Sequence, residues 1–129
     1  MADHFNAAGY HAFVLTYRVG QSEGTLDKEM DDIARALTLI RENTGHFHVR
    51  ADRYITCGFS AGGYLTCLWS TLGKGYGAHG LPGPRAMVPV YPVVSFRQLQ
   101  RDHDGDPQLA KGLFYTDLAQ AVNEDYEIP

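Results

Sequence analysis

The sequence predicts an α/β protein built on a parallel β-sheet with crossover helices. Three short apolar segments, rich in β-branched and aromatic residues, alternate with two longer segments whose apolar residues recur at helical spacing. Strand, helix, strand, helix, strand is the order typical of a parallel sheet joined by right-handed crossovers. The chain has 129 residues, of which 44% are hydrophobic, so one domain at most is expected.

The first two predicted elements precede residue 45. His11–Tyr17 (HAFVLTY) is nearly continuous in apolar residues, as a strand buried on both faces would be. From Asp27 to Asn43 the pattern is helical, with Asp27 as the N-cap and Gly45 as the C-terminal stop. One face of this helix would carry the apolar residues Met30, Ile33, Ala34, Leu37 and Ile40.

Three further elements follow one another closely. Arg53–Cys57 (RYITC) is the second predicted strand, Ala61–Leu72 the second helix, and Ala86–Tyr91 (AMVPVY) the third strand. Pro89 lacks the N–H that a central strand donates, so the third strand should lie at an edge or at a bulge. Towards the C-terminus, loosely helical spacing predicts one more helix through Leu109, Leu113, Leu118, Ala121 and Val122.

Charge and composition exclude several classes of protein. The net charge is −4, and no Asp or Glu lies between Asp52 and Asp102, where the five basic residues are scattered singly. This distribution argues against nucleic-acid binding and against a phosphate-binding stripe. The longest apolar stretch, AMVPVYPVV, is too short to span a bilayer, and the N-terminus lacks the pattern of a secretory signal. A cytoplasmic protein is therefore expected.

Cysteine and histidine patterns predict no metal site. Cys57 and Cys67 are too few for a disulfide framework and are expected to be reduced, buried and structural. The acidic segment Asp102–Pro107 imitates a calcium loop, but it lacks the required glycine at the sixth position and glutamate at the twelfth. His46 and His48 have no carboxylate ligands close in sequence, so an ordinary loop is the expected interpretation.

The segment CGFSAGG contains the motif G-x-S-x-G between the second predicted strand and the helix after it. A sharp strand-to-helix turn would hold the hydroxyl of Ser60 away from the backbone, and its tightness would require Gly58 and Gly62. The helix would direct its N-terminal N–H groups to the same place, with the Ala61 N–H as the first donor to an oxyanion. Dinucleotide-binding and P-loop turns are excluded because the required glycine, acidic residue and G-K-[ST] are absent.

Four segments in this order resemble the middle of an α/β-hydrolase fold serine esterase: AFVLTYRVG, DDIARALTLIRENT, ADRYITCGFSAGGYL and VPVYPVVSF. The resemblance is to the acetyl-esterase and hormone-sensitive-lipase-like carboxylesterases, and it covers roughly residues 10–97. It implies a three-layer α/β/α sheet, present here as a partial version with about three strands. It also implies that Ser60 is the nucleophile, that Ala61 is the oxyanion-hole residue, and that Gly58 and Gly62 are the elbow glycines.

Departures from the family pattern matter equally. The glycine-rich oxyanion segment of the family would precede AFVLTY, and this chain begins too late to contain it. The family's triad acid and histidine come well after the strand ending in YP, whereas only His79 and His103 follow Ser60. His79 precedes any acidic residue and lies in the loop behind the elbow helix. His103 comes too early, and a solvated loop residue is its expected interpretation.

Two functions remain open at this stage. The first is a carboxylic ester hydrolase that cleaves small acyl esters through an acyl-serine intermediate at Ser60, without cofactor or metal. The second is a truncated, non-catalytic derivative that acts as a folding or assembly module. Neither nucleic acid nor membrane is an expected partner. The strand that the family places between HAFVLTY and RYITC would be missing, so one sheet face would stay apolar and self-association or a complementing chain is expected.

Overall fold

The computed structural model describes residues 1–19, 25–95, 97–98 and 101–102. Its elements are α1 (Ala2–Ala7), α2 (Thr25–Glu42), α3 (Thr44–Phe47), β1 (Ile55–Phe59), α4 (Ala61–Trp69) and β2 (Ala86–Val90). The predicted C-terminal helix, His103 and the acidic segment after Asp102 lie outside the described residues. None of the described helices is long and apolar enough to cross a membrane.

The two strands pair in parallel, and α4 connects them. Ile55 lies opposite Ala86, and Phe59 lies opposite Val90. The α4 helix packs on one face of this pair and contacts both strands. The predicted α/β class is thus confirmed, as a small parallel sheet with helices that is compatible with a partial hydrolase-type fold. In the part of the chain that the structure describes, the sheet has two strands.

The first predicted strand, His11–Tyr17, is wrong. None of these residues belongs to a strand. Side chains hold the segment instead. The ring of Phe13 packs edge-to-face on Phe47 of α3, with 5.2 Å between centroids, and the guanidinium of Arg18 pairs with the carboxylate of Asp32 in α2 at 2.8 Å. The apolar run has the composition of a doubly buried strand, but β-structure requires a neighbouring strand to bond its N–H and C=O groups.

The helix predicted between Asp27 and Asn43 is confirmed, with different ends. It begins before Asp27, whose carboxylate lies in the first turn near the positive end of the helix dipole rather than at the N-cap. At the other end, the side-chain amide of Asn43 donates to the Leu39 carbonyl at 2.8 Å. Gly45 does not end the helix: α2 ends at Glu42, and Gly45 lies inside α3, whose C-cap is His48 with a φ of 53°.

The core forms where α2 packs against α4 and the loop that follows α4. Met30 and Leu37 are the most buried residues of the predicted apolar face of α2, while Ile33, Ala34 and Ile40 are half-buried. The fully buried Trp69 ends α4, and its indole N–H donates to the Tyr54 hydroxyl at 2.9 Å. The buried core cluster consists of Met30, Leu37, Tyr64, Leu65, Leu68 and Trp69.

The opposite face of the sheet is partly exposed in the described part of the chain. A Cβ atom on Gly58 would point into α4, so the alternate residues of β1 face away from that helix. On this outer face Ile55 is 39% exposed and Phe59 and Val88 are each 41% exposed. The sulfur of Met1 lies 3.6 Å from the sulfur of Cys57, so the start of α1 contacts the centre of the face.

Candidate active site

Ser60 stands at the junction between β1 and α4. Its backbone has φ 50° and ψ −116°, a combination that L-residues rarely adopt, and the residue is exposed. The hydroxyl does not cap α4, and it makes no hydrogen bond with another described residue. A backbone of this kind, on an exposed serine between a strand and a helix, is what a nucleophile elbow requires.

Backbone hydrogen bonds hold the turn from both sides. The N–H of Ser60 donates to the carbonyl of Val90 at the end of β2, with a distance of 3.0 Å. The carbonyl of Ser60 accepts from the N–H of Tyr64 in the first turn of α4, also at 3.0 Å. The positive φ is therefore fixed by the second strand and by the helix together.

Glycine is required at position 58, and position 63 has tight contacts that favour it. A Cβ on Gly58 would lie 2.1 Å from the carbonyl oxygen of Gly62, so only glycine fits there. A Cβ on Gly63 would lie 3.1 Å from the carbonyl oxygens of Gly58 and Val90. Gly62 is different, because a Cβ at this position would meet no atom within 4 Å. The steric reason expected for Gly62 therefore applies to Gly63 instead.

The N-terminus of α4 lies next to the Ser60 hydroxyl. Ala61 is the first residue of this helix and is exposed. The first N–H groups of an α-helix have no intrahelical partner, and they carry the positive end of the helix dipole. The N–H of Ala61 thus belongs to the group of donors available to an anion beside Ser60.

Two aromatic side chains flank the serine and were not singled out from the sequence. Phe59 precedes Ser60, and Tyr91 follows β2 with a φ of 40° and 69% exposure. Their ring centroids are 5.8 Å apart. Phe59 ends β1 and Tyr91 follows β2, so both lie at the carboxyl ends of parallel strands, the edge where α/β proteins bind ligands. The sequence could have indicated both aromatic residues by their position, since each stands at or near the end of a predicted strand.

His79 lies at the wrong end of α4 to act on Ser60. Its ring stacks on Trp69, the last residue of the helix, with 5.6 Å between centroids. Ser60 lies before the first residue, and a nine-residue helix is about 13 Å long. The nearest ionic neighbour of His79 is Asp31, at 3.9 Å between Nδ1 and Oδ1. The prediction that His79 lies behind the elbow helix is consistent with this position.

Three titratable side chains away from Ser60 have shifted pKa values that arise from burial or from hydrogen bonds within the fold. Burial raises the pKa of the Cys67 thiol, and burial also raises the pKa of Tyr54 against the opposing effect of the Trp69 hydrogen bond. The hydrogen bond from Arg18 lowers the pKa of Asp32. Both cysteines are free, but Cys57 is only half-buried, in the middle of β1.

Metal binding finds no support in the described part of the chain. No three His, Cys, Asp or Glu side chains among the described residues come together closely enough to hold an ion. His46 lies in α3 rather than in a loop, and its ring contacts that of Phe47 at 5.1 Å. The carboxylate of Asp102 accepts a hydrogen bond from Gln98 at 2.7 Å, and the remainder of the acidic segment is not described.

The parallel pair and the helix behind it are compatible with a partial hydrolase-type α/β fold, and a comparison with known families gives the class, that of the α/β hydrolases and esterases. The BD-FAE family model matches residues 1–104, and the chain belongs to this family. The class implied by the sequence resemblance is thus confirmed, whereas the acetyl-esterase branch is not established. No curated protein and no solved structure matches the chain.

Proposed function

We propose that the protein is a carboxylic ester hydrolase in which Ser60 is the nucleophile. The observation that carries the proposal is the exposed Ser60 at φ 50° between a parallel strand and the helix behind it. The Ser60 oxygen attacks the acyl carbon while a base takes its proton. The ester C–O bond then breaks, the base gives the proton to the leaving oxygen, and the alcohol departs. Water then attacks the acyl-serine, which releases the carboxylic acid and restores the hydroxyl.

The substrate proposed is a small acyl ester of the acetyl type. This choice is supported by the sequence resemblance to acetyl esterases and by the small, open surroundings of the turn, where Ala61 is exposed and Gly62 has free space. The ring pair of Phe59 and Tyr91 offers an apolar surface for part of the substrate. A cytoplasmic location belongs to the same proposal and is supported by the two unpaired cysteines.

A non-catalytic role is the second candidate. It is favoured by His79, which stacks on Trp69 at the far end of α4, and by the fact that no described histidine hydrogen-bonds Ser60. A serine without a base is a poor nucleophile at neutral pH. In this alternative the chain serves as a folding or assembly module derived from an esterase.

Covalent labelling separates the two candidates. The protein is treated with a fluorophosphonate and its intact mass is measured, alongside the variants Ser60→Ala and Ser70→Ala. Ser70 is a matched control because its hydroxyl is bonded to the Thr66 carbonyl. We expect one slowly formed adduct on wild type and on Ser70→Ala, and none on Ser60→Ala, because a single stoichiometric phosphonylation needs less base assistance than repeated turnover. An unlabelled wild type, or an adduct that survives Ser60→Ala, contradicts the proposal and favours the non-catalytic module.

Turnover of an activated acetate ester is expected to be very weak. Among the described residues no histidine is hydrogen-bonded to Ser60, and His79 stacks on Trp69 at the far end of α4. Each missing oxyanion donor costs about 3 to 4 kcal/mol of transition-state stabilisation. Turnover at rates ordinary for enzymes, abolished by Ser60→Ala, would show that a base reaches Ser60 from elsewhere.

A further inference from the structure

Tyr91 has a backbone conformation that few residues of its kind adopt. Its φ is 40°, in the left-handed region that bulky L-residues rarely occupy. The next residue is Pro92, and a residue before proline ordinarily has an extended backbone. Strained conformations of this kind persist only where the surrounding structure imposes them, and they cluster at active sites and ligand-binding positions. Tyr91 is therefore a second strained residue at this edge of the sheet, besides Ser60.

Contacts on both sides of Tyr91 impose this conformation. The carbonyl of Val90, the residue before it, accepts a hydrogen bond from the N–H of Ser60 at 3.0 Å. The residue after it, Pro92, packs against the start of α4, because a Cβ on Gly63 would lie 3.3 Å from the Cα of Pro92. Tyr91 is thus held between two residues that contact the turn carrying Ser60.

The ring of Tyr91 pairs with the ring of Phe59 beside the serine. Their centroids are 5.8 Å apart, the planes are tilted by 49°, and both side chains are exposed in the described part of the chain. Phe59 directly precedes Ser60, and it lies opposite Val90 in the strand register. The surroundings are uncharged, because residues 54–72 and 86–95 include no Asp, Glu, Lys or Arg. Two exposed rings at an uncharged, ligand-binding edge are suited to hold an apolar group.

We propose that the rings of Phe59 and Tyr91 form a subsite for the alcohol portion of the ester, and that Tyr91 is its specificity-determining residue. The assignment to the alcohol rests on the proposed function: an acetyl-type acyl group offers a single methyl, so the alcohol is the part of the substrate that has a surface for two rings. The substrates are then acetyl esters of apolar alcohols that carry a ring. An alcohol with a charged group would find no counter-charge in these segments.

Ligand titration of the Ser60→Ala variant, followed by NMR, tests the subsite, because without the serine hydroxyl the ester is not consumed. Phenyl acetate and methyl acetate carry the same acetyl group and differ only in the alcohol. We expect phenyl acetate to shift the ring-proton resonances of Phe59 and Tyr91. It should bind about 10-fold more tightly than methyl acetate, because its ring packs on the two aromatic side chains.

Second substitutions in the Ser60→Ala variant separate the ring from the strained backbone. Tyr91→Phe keeps the ring and should keep the affinity for phenyl acetate. Tyr91→Gly removes the ring and accepts the φ of 40° without strain, so it should bind phenyl acetate about 10-fold more weakly while resisting urea at least as well as its parent. A residue with a structural role alone would instead lose stability. Phe13→Ala is the matched control, because this exposed ring packs on Phe47 in α3, and its removal should leave both affinities unchanged.

Several results overturn the proposal. Equal affinities for the two acetates, or phenyl acetate that leaves the Phe59 and Tyr91 resonances in place, would show that the rings hold no substrate group. Tyr91→Gly that binds phenyl acetate as tightly as its parent, or Tyr91→Phe that does not, would show that the ring of Tyr91 is not the determinant. The proposed function fails separately: a chain that binds phenyl acetate on these rings but is not labelled at Ser60 has the subsite without the chemistry. A labelled chain without the preference lacks only the subsite.

Discussion

Replacing Gly58 by alanine is expected to destabilise the protein strongly, because the start of α4 occupies the space that a side chain would need. The new Cβ would lie 2.1 Å from the carbonyl oxygen and 2.3 Å from the carbonyl carbon of Gly62, and 2.9 Å from the nitrogen of Gly63. All three atoms belong to the backbone. No side chain can rotate away, and the helix has to move by roughly 1 Å to restore the 3.0 Å limit for real Cβ contacts.

The magnitude follows from this geometry. Overpacking a tightly packed site costs about 1–3 kcal/mol, and a clash with backbone belongs at the upper end, about 3 kcal/mol. Each kcal/mol shifts the melting temperature of a chain of this size by about 4 °C. We therefore expect Gly58→Ala to melt about 12 °C below wild type.

Gly62→Ala is the matched control. Both positions belong to the G-x-S-x-G motif, but a Cβ on Gly62 meets no atom within 4 Å. Alanine is also favoured over glycine within a helix by up to about 1 kcal/mol. This variant is therefore expected to be as stable as wild type or slightly more stable.

The assay is urea and thermal unfolding followed by circular dichroism and by the fluorescence of Trp69, the only tryptophan in the chain. Coincident transitions from the two probes support a two-state analysis. The reasoning is refuted if Gly58→Ala melts within about 2 °C of wild type, or if Gly62→Ala loses as much stability as Gly58→Ala.

Three further predictions concern the turn, the core and the edge of α2. Ser60→Gly should raise the free energy of unfolding by about 1 kcal/mol, because glycine adopts a φ of 50° without strain. An unchanged or lower free energy of unfolding, measured by urea denaturation, would contradict the strained backbone. Tyr54→Phe should lower the free energy of unfolding by about 1–3 kcal/mol, because the buried Trp69 N–H loses its acceptor. An unchanged denaturation midpoint would argue against this hydrogen bond. Asp32 has a pKa lowered by its hydrogen bond with Arg18, so the pair should contribute stability above the ordinary value of 3.8 and lose it as the pH falls through the lowered value. Melting curves across this range should show wild type losing its advantage over Asp32→Asn on acidification, and a constant difference would refute the linkage.

Local sequence determined the elements whose signals are local. The spacing of Met30, Ile33 and Leu37 was sufficient for α2, and the apolar runs on either side of α4 were sufficient for β1 and β2. In the described part of the chain β2 is an edge strand, as Pro89 indicated, because a residue without an N–H is restricted wherever the strand lies. The motif around Ser60 likewise located a sharp turn between strand and helix, since its residues are consecutive.

Tertiary structure decided the features that depend on contacts with residues distant in sequence. His11–Tyr17 has the composition of a strand but is not one, because a strand exists only beside another strand and none lies next to it among the described residues. The position of His79 behind α4 follows from its stacking on Trp69. The tight contacts fall on Gly63 rather than Gly62, and two of the three atoms that set them belong to Val90 and Pro92, which are distant in sequence. Contacts between distant segments leave no periodicity in the sequence, and for this reason only the folded chain reveals them.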